Sequence, residues 1–97
     1  MWASYNKRMA DKFGELEKQL KALANKRRLR VLTFIGRRKQ ATVGEIADEL
    51  GISMQATSKH LRLLYHVDMV ESEQTGLQVR YHLAKIAPPI ASLLSSL

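Results

Sequence analysis

Residues 43–67, VGEIADELGISMQATSKHLRLLYHV, have the pattern of two short helices joined by a tight turn. Thr42 and Glu45 have the spacing of a capping box, in which each side chain satisfies the free backbone N–H of the other residue at a helix start. Gly51 ends this helix, because a residue without Cβ adopts the left-handed cap conformation at low steric cost. Ser53 is placed to cap the second helix. The pattern therefore predicts a helix-turn-helix over residues 43–67.

Apolar residues recur at helical spacing and define the inner faces of both helices. These inner residues are Ile46, Ala47 and Leu50, then Thr57, Leu61 and Leu64. The outer surface of the second helix carries an amide, two small residues and two basic residues, namely Gln55, Ala56, Ser58, Lys59 and Arg62. No carboxylate occurs from residue 53 to 67. Such side chains suit a DNA major groove, where they can meet base edges and phosphates. The alternative is an ordinary helical hairpin with a solvated outer face.

The next segment has the pattern of a β-hairpin. Residues 69–74 and 77–83 partly alternate apolar and polar, with Thr75-Gly76 between them as the expected turn. Two helices followed directly by a hairpin predict a winged helix, mainly α with a β-hairpin wing. Thr75, Gly76 and Arg80 lie in this predicted wing.

The charge is strongly positive and unevenly distributed. The 97-residue chain, long enough for one domain with a modest core, has a net charge of +7 and a pI near 10.1. These values indicate a polyanionic partner, either nucleic acid or an anionic membrane surface. Residues 1–40 contain 12 Lys/Arg against 3 Asp/Glu, whereas residues 41–97 contain 4 against 6. The basic excess, concentrated at 26–30 and 37–39, is either a solvated helix face or a source of phosphate contacts and long-range attraction.

Several classes of function are excluded or disfavoured. The absence of cysteine rules out disulfides, thiolate metal ligands and thiol redox switching. No apolar run of 18 residues and no signal-peptide pattern occur, so we expect a cytoplasmic protein. No nucleophile with an adjacent base and no phosphate-cradling glycine loop are evident, so we do not expect an enzyme, and activity would need a site built by a dimer.

Apolar stripes at both ends of the chain predict dimerisation. Residues 1–24 form a predicted helix with a narrow apolar seam, Asn25 caps a second helix from Lys26 to about Arg38, and a last helix spans 88–97. One small domain has little room to bury both stripes, which suggests a twofold dimer. The alternatives are that both helices cover the core of one chain, or that the first binds a membrane, which its acidic residues disfavour. The predicted interface residues are Tyr5, Met9, Phe13, Leu16, Leu20, Leu93, Leu94 and Leu97.

Four segments in this order resemble the ArsR family of winged-helix repressors. They are ALANKRRLRVL at 22–32, TVGEIADELGIS at 42–53, SKHLRLL at 58–64 and MVESEQTGLQVRYHL at 69–83, and the resemblance covers about residues 16–84. It implies a homodimer joined by its terminal helices and recognition helices in successive major grooves. It further implies a wing along the DNA backbone, with Thr75, Gly76 and Arg80 as the contact residues that we expect. It also implies repression by occlusion of a promoter, relieved when a ligand binds.

The chain departs from this family at the metal sites. Many members bind thiophilic metals through cysteines, at positions that match Thr42 and Gly44 in this chain. Others bind metals through Asp, His and Glu side chains along the last helix. The corresponding residues 84–97 of this chain contain no Asp, His or Glu. His60 matches a position where the family often has histidine, and we assign it a packing or phosphate-binding role. We therefore expect no metal site and no cofactor. Asp68 stands where relatives usually have a helix-ending glycine.

The leading hypothesis is a sequence-specific, double-stranded DNA-binding transcriptional regulator. We expect a repressor that binds an inverted-repeat operator as a homodimer, without metal or thiol sensing and without a membrane partner. It is either constitutive or controlled by an unknown small molecule or partner protein. The alternative is a winged-helix module that binds protein or RNA, and salt-dependent retention by an inverted-repeat duplex over a scrambled one would separate the two.

Overall fold

The computed structural model describes the backbone of residues 2–85, 93, 94 and 96, and the side chains from residue 12 onward within those ranges. Within these residues the elements follow in the order α1 (Trp2–Leu23), α2 (Lys26–Arg38), β1 (Ala41–Thr42), α3 (Val43–Leu50), α4 (Met54–His66), β2 (Val70–Thr75) and β3 (Gln78–Leu83). The fold is mainly α with a small antiparallel sheet, which confirms the predicted class. The helix-turn-helix corresponds to α3 and α4.

Side-chain caps set the starts of three helices. Asn25 accepts a hydrogen bond of 3.0 Å from the backbone N–H three residues further on. Thr42 and Glu45 form the predicted capping box: the N–H of Thr42 donates to Glu45 Oε1 at 2.8 Å, and the N–H of Glu45 donates to Thr42 Oγ1 at 3.2 Å. Ser53 Oγ accepts a bond of 3.0 Å at the start of α4. Each cap lies three residues from the group that it satisfies, so it can be recognised in the sequence. The starts of α2, α3 and α4 accordingly agree with the sequence prediction.

Two residues in the left-handed backbone region turn the chain around α4. Gly51 has φ 68°, and its N–H donates to the carbonyl oxygen of Ala47 at 2.9 Å. Asp68 follows α4 with φ 61°, a conformation that Asp adopts more readily than most residues. Directly after it, the N–H of Met69 donates to the carbonyl oxygen of Leu64 at 2.9 Å. The chain therefore reverses sharply both before and after α4.

The sheet has the strand order β1-β3-β2, and both pairings are antiparallel. The hairpin of β2 and β3, residues 70–83, is the wing. Its turn is Gly76-Leu77, with Gly76 at φ 64° in the first central position of a two-residue loop, where type II′ turns take glycine. The predicted turn at Thr75-Gly76 is therefore wrong by one residue. Thr75 instead pairs with Gln78, and Leu77, predicted to lie in a strand, is fully exposed in the turn.

The core lies between α2, α3, α4 and the base of the sheet. Its most deeply buried side chains are Val31, Leu32, Ile35, Ala41, Ile46, Leu61, Leu64, Met69 and Val70. All six predicted inward residues of the helix-turn-helix are buried. Thr57 is the polar member of this set, and its hydroxyl donates to the carbonyl oxygen of Ser53 at 2.9 Å. The helix-turn-helix is thus anchored in the core along one face only.

Candidate nucleic-acid interface

The surface of α4 that does not face the core carries polar and basic side chains, together with the exposed Met54, Leu63 and Tyr65. The predicted DNA-contact residues of this helix all lie there: Gln55, Lys59 and Arg62 are exposed, and Ala56, Ser58 and His60 are partly exposed. The helix contains no acidic residue. Its cap and its three buried side chains fix its orientation, so this surface faces outward as a preformed unit.

A groove runs between α4 and the wing. Ser58, Arg62, Tyr65 and His66 line it from the helix, and Ser72 and Tyr81 line it from the wing. The groove thus combines hydroxyl groups with a guanidinium and has no acidic lining residue. Hydroxyl and guanidinium groups are the usual donors to phosphate oxygens. The groove therefore presents side chains of the kind that donate to phosphate oxygens.

Sequence reasoning missed four of these residues, namely Tyr65, His66, Ser72 and Tyr81. Tyr65 could have been found, because it follows Ser58 and Arg62 at helical spacing. Ser72 and Tyr81 are cross-strand partners, and their position beside α4 depends on the hairpin register. No local signal in the sequence indicates that position.

The two faces of the wing differ in charge. Successive side chains of a strand point to opposite faces, so the register places Ser72 and Tyr81 together on one face. The other face carries Glu71, Glu73, Gln78, Arg80 and His82. On that second face Glu71 Oε1 lies 3.1 Å from His82 Nε2, and Arg80 Nη2 donates to the side-chain oxygen of Gln78 at 3.1 Å. The structure therefore does not bring Arg80, a predicted contact residue, into the groove with α4. Thr75 and Gly76 are exposed near the tip of the wing.

His60 is a partly exposed residue of α4. Partial burial, and then the positive charges of Arg28 and Arg27, lower the pKa of His60 below its ordinary value of 6.5. The imidazole is therefore mostly neutral at pH 7. The fold thus brings part of the basic segment 26–30, which is separate from the helix-turn-helix in sequence, close to α4.

The second basic segment, 37–39, has a different setting at the other end of α2. Arg38 Nη2 lies 2.8 Å from Glu45 Oε2, and its guanidinium lies 5.4 Å from the ring centroid of Phe34. A hydrogen bond from the backbone N–H of Thr42 is the main cause that lowers the pKa of Glu45 below 4.5, and Arg38 adds to it against the opposing effect of desolvation. Arg38 therefore connects α2 to the capping box of α3.

An apolar stripe on α1 is left uncovered by the rest of the described chain. Phe13, Leu16 and Leu20 are 59%, 43% and 52% exposed. The side chains of Tyr5, Met9 and Leu97 lie outside the described residues. Leu93 is exposed, but Leu94 is only 6% exposed and joins the core of its own chain, so it is not available to a partner in this conformation. The predicted helix over 88–97 lies largely outside the described residues, although Leu93 and Leu94 are helical.

The part of the chain that the structure describes shows neither a metal-binding cluster nor a membrane span. No group of three His, Asp or Glu side chains there is arranged to hold a metal ion. No helix there is both long and apolar enough to cross a bilayer. The absence of metal sensing stays a prediction.

The helical core, the exposed basic helix and the hairpin behind it define a winged helix-turn-helix DNA-binding domain. The chain belongs to the helix-turn-helix domain family whose profile matches residues 23–73. It is of the ArsR/SmtB winged-helix type, as the sequence resemblance implied.

Solved structures of regulators share this fold. The transcriptional regulator HlyU from Vibrio vulnificus is 27% identical, with a TM-score of 0.72 over 95% of this chain and 93% of its own. The homodimeric winged helix-turn-helix DNA-binding domain of Mb0332 from Mycobacterium bovis is 28% identical, with a TM-score of 0.79 over 92% of this chain and 80% of its own. The antimony-specific transcriptional repressor AntR is 28% identical, with a TM-score of 0.70 over 86% of this chain and 73% of its own. None of the curated protein sequences matches this chain significantly.

Proposed function

We propose that this protein is a transcriptional repressor that binds an inverted-repeat DNA operator as a homodimer, without metal or thiol sensing. The observation that carries the proposal is the exposed, carboxylate-free surface of α4. A rigid helix with amide, hydroxyl and basic groups supplies contacts both to base edges and to phosphates. The family resemblance adds the mode of action, which is occlusion of a promoter by the bound dimer.

The residues of α4 have separate roles in this proposal. Gln55 can form paired hydrogen bonds with adenine, and Arg62 with guanine or a phosphate. Lys59 acts as a mobile point charge on the backbone. Ser58 lies beside Arg62 in the groove and donates to a phosphate. The wing tip at Thr75 and Gly76 follows the adjacent backbone.

A second copy of the chain is the partner that we propose for the apolar stripe on α1. Twofold symmetry is the commonest arrangement for soluble oligomers and pairs a surface with itself. It also places two recognition helices on one side of the duplex, at half-sites roughly 34–36 Å apart. The homodimeric state of the Mycobacterium bovis domain supports this arrangement.

Control of the repressor must use chemistry other than thiolate coordination. Soft metal ions are selected by cysteine thiolates, and this chain contains no cysteine. The antimony specificity of AntR therefore does not transfer to this chain through a thiolate site. We propose that the protein is either constitutive or controlled by a small organic molecule or a partner protein.

The test is to select bound duplexes from a random pool and then measure binding of the selected inverted repeat by fluorescence anisotropy. We expect tighter binding to this duplex than to a scrambled one, and steep weakening as salt rises. Arg62→Ala should either cost about 1–3 kcal/mol at one base position or weaken all duplexes alike, and Lys59→Ala should weaken all duplexes alike. Arg37→Ala is the matched control, because Arg37 is exposed on α2.

Three results would contradict the proposal. One is equal affinity for the selected and scrambled duplexes. Another is unchanged affinity in both the Lys59→Ala and the Arg62→Ala variants. The third is tighter binding to a single-stranded RNA or to a protein than to any duplex, which would favour the alternative function.

A further inference from the structure

An open cleft of about 300 Å³ lies between α2 and the last turn of α3. This volume is at the lower end of the range for small-molecule sites, which is about 300–1,000 Å³. The cleft is lined by charged and apolar side chains from both helices, namely Arg30, Thr33, Phe34, Arg37, Glu49 and Leu50. The four residues from α2 have the i, i+3, i+4, i+7 spacing of one helix face. No lining residue belongs to α4 or to the wing.

The two guanidinium groups of the cleft have no carboxylate partner among the described residues. Arg30 and Arg37 take part in none of the ion pairs found there, whereas Arg38 on the same helix pairs with Glu45. Arg30 Nη2 instead donates to the backbone carbonyl oxygen of Glu49, in a long hydrogen bond of 3.4 Å. A guanidinium has five N–H donors and can bind a carboxylate through two parallel hydrogen bonds. Both arginines therefore retain donors for an anion.

Two other lining residues give the cleft an apolar surface. Leu50 is only 7% exposed and belongs to the core, and Phe34 is partly buried and packs against the core. The hydroxyl of Thr33 already donates to the carbonyl oxygen of Leu29 at 2.8 Å, so it can only accept a further hydrogen bond. The donors available to an anion thus come from the two arginines, and the surface available to an apolar group comes from Phe34 and Leu50.

We infer that this cleft binds a small organic anion and is the site at which such a molecule controls DNA binding. The inference rests on the proposed function and names the chemical class and the site of the effector. A carboxylate of the ligand pairs with Arg30 and Arg37. The apolar body of the ligand covers Phe34 and Leu50. Because the lining sets two guanidiniums against one carboxylate, that of Glu49, it favours a ligand with a single negative charge.

The cleft adjoins the turn that leads into α4. Leu50 is the last residue of α3, and Ser53, three residues later, caps α4. The N–H groups of Gly51 and Ile52 both donate to the carbonyl oxygen of Ala47, at 2.9 and 3.2 Å, so the turn is joined to the same end of α3. A ligand held between α2 and α3 therefore contacts the end of α3 from which the chain turns into α4. By linkage, such a ligand and DNA change each other's affinity by the same factor.

The probe for the test is 2-naphthoate, which has one carboxylate on an aromatic body. Calorimetric titration of the free protein measures its affinity for wild type and for the Arg30→Ala, Arg37→Ala and Arg27→Ala variants. The first two variants should each bind the probe about tenfold more weakly, because each loses a charge-assisted hydrogen bond. Arg27→Ala is the matched control, because Arg27 is exposed on the same helix and does not line the cleft. Thermal melting checks that every variant is folded.

Two further ligands test the two halves of the site separately. Inorganic phosphate lacks the apolar body, and 2-naphthamide lacks the charge. Each should bind wild type at least about tenfold more weakly than 2-naphthoate does.

Fluorescence anisotropy then measures the effect of the probe on DNA binding. A concentration of 2-naphthoate just sufficient to saturate wild type should change its affinity for the selected operator by about fivefold or more. The Arg27→Ala variant should respond in the same way, and the Arg30→Ala and Arg37→Ala variants should respond less. Without the probe, Arg30→Ala and Arg37→Ala should bind the operator as wild type does.

Several results separate this inference from the proposed function. Equal binding of 2-naphthoate to wild type, Arg30→Ala and Arg37→Ala, or no saturable binding at millimolar concentration, would overturn the inference while the operator preference of wild type stands. Binding of phosphate as tight as that of 2-naphthoate, or probe binding that leaves operator affinity unchanged, would also overturn it. Weaker binding of Arg30→Ala to all duplexes without the probe would assign this guanidinium to DNA phosphates and overturn the inference. Equal wild-type affinity for operator and scrambled duplexes, both changed by the probe, would support the site and overturn sequence-specific repression.

Discussion

Replacing Phe13 and Leu16 by aspartate should convert the protein to a monomer. Phe13 is 59% exposed in the single chain, and a phenylalanine side chain presents roughly 200 Å². Covering its exposed part would bury about 120 Å², or about 3 kcal/mol per chain at about 25 cal/mol per Å². Leu16 and Leu20, each about half exposed, add about 1 kcal/mol each.

These figures are upper limits, because association also costs translational and side-chain freedom. Both chains of the dimer carry the two substitutions, so the upper limit for the loss is about 8 kcal/mol, and realising half of it already weakens the dimer by about a thousandfold. The introduced aspartates would in addition place like charges opposite each other across the twofold axis. A dimer that is stable at micromolar concentration should therefore dissociate in the double variant.

Sedimentation equilibrium measures the dissociation constant directly, and fluorescence anisotropy on duplexes with one or two half-sites measures the effect on DNA binding. Leu77→Asp is the control for Leu16→Asp in sedimentation only, because Leu77 is fully exposed in the wing turn, outside α1, and adjoins the wing residues that we propose contact DNA. Circular dichroism checks that each variant is folded. The reasoning is refuted if wild type sediments as a monomer at micromolar concentration, or if Leu77→Asp dissociates the dimer as much as Leu16→Asp.

Three further predictions concern stability and regulation. Ser53→Ala should lower the free energy of unfolding by about 1 kcal/mol in urea titrations, because Ser53 Oγ caps α4. Ser53→Asp should keep most of the stability that the cap contributes, because aspartate is also a good N-cap residue. Equal stability of wild type and both variants would contradict the role of the cap. Burial, Arg28 and Arg27 lower the pKa of His60 below 6.5 in the folded state. The imidazole therefore binds a proton more tightly in the unfolded state. The contribution of neutral His60 to stability is complete above pH 6.5 and declines as the pH falls toward the lower pKa of the folded state. Urea titrations at several pH values should show this decline in wild type and less of it in His60→Gln, and an opposite slope at His60 would disprove the assignment. The protein–DNA complex should remain intact in anisotropy titrations with zinc, nickel, arsenite and peroxide, since tight metal sites need several converging soft or imidazole ligands. Stoichiometric release of DNA by any of these reagents at micromolar concentration would indicate a metal or redox sensor instead.

The sequence by itself determined the limits of the central helices. The predicted bounds of α2 and α3 agree with the observed ones, Lys26–Arg38 and Val43–Leu50. Their signals are local, because a cap at Asn25 or Thr42 acts on a group three residues away, and Gly51 ends α3 by its own backbone freedom. The inner and outer surfaces of α4 follow from helical periodicity in the same way. The surface of α4 that we propose for DNA binding can therefore be predicted from the sequence alone.

Only the tertiary structure decided which distant residues share that surface. The wing register, shifted by one residue from the predicted turn, places Ser72 and Tyr81 beside Arg62 and turns Arg80 to the other face. Leu94, a predicted interface residue, is buried in the core of its own chain. The charges of Arg28 and Arg27 act on His60 because α2 and α4 bury their apolar faces in one core. Hydrophobic burial is non-directional and acts between residues far apart in sequence, so these spatial neighbours cannot be deduced from a local sequence pattern. Caps and turns act over three or four residues, and they can therefore be deduced from such a pattern.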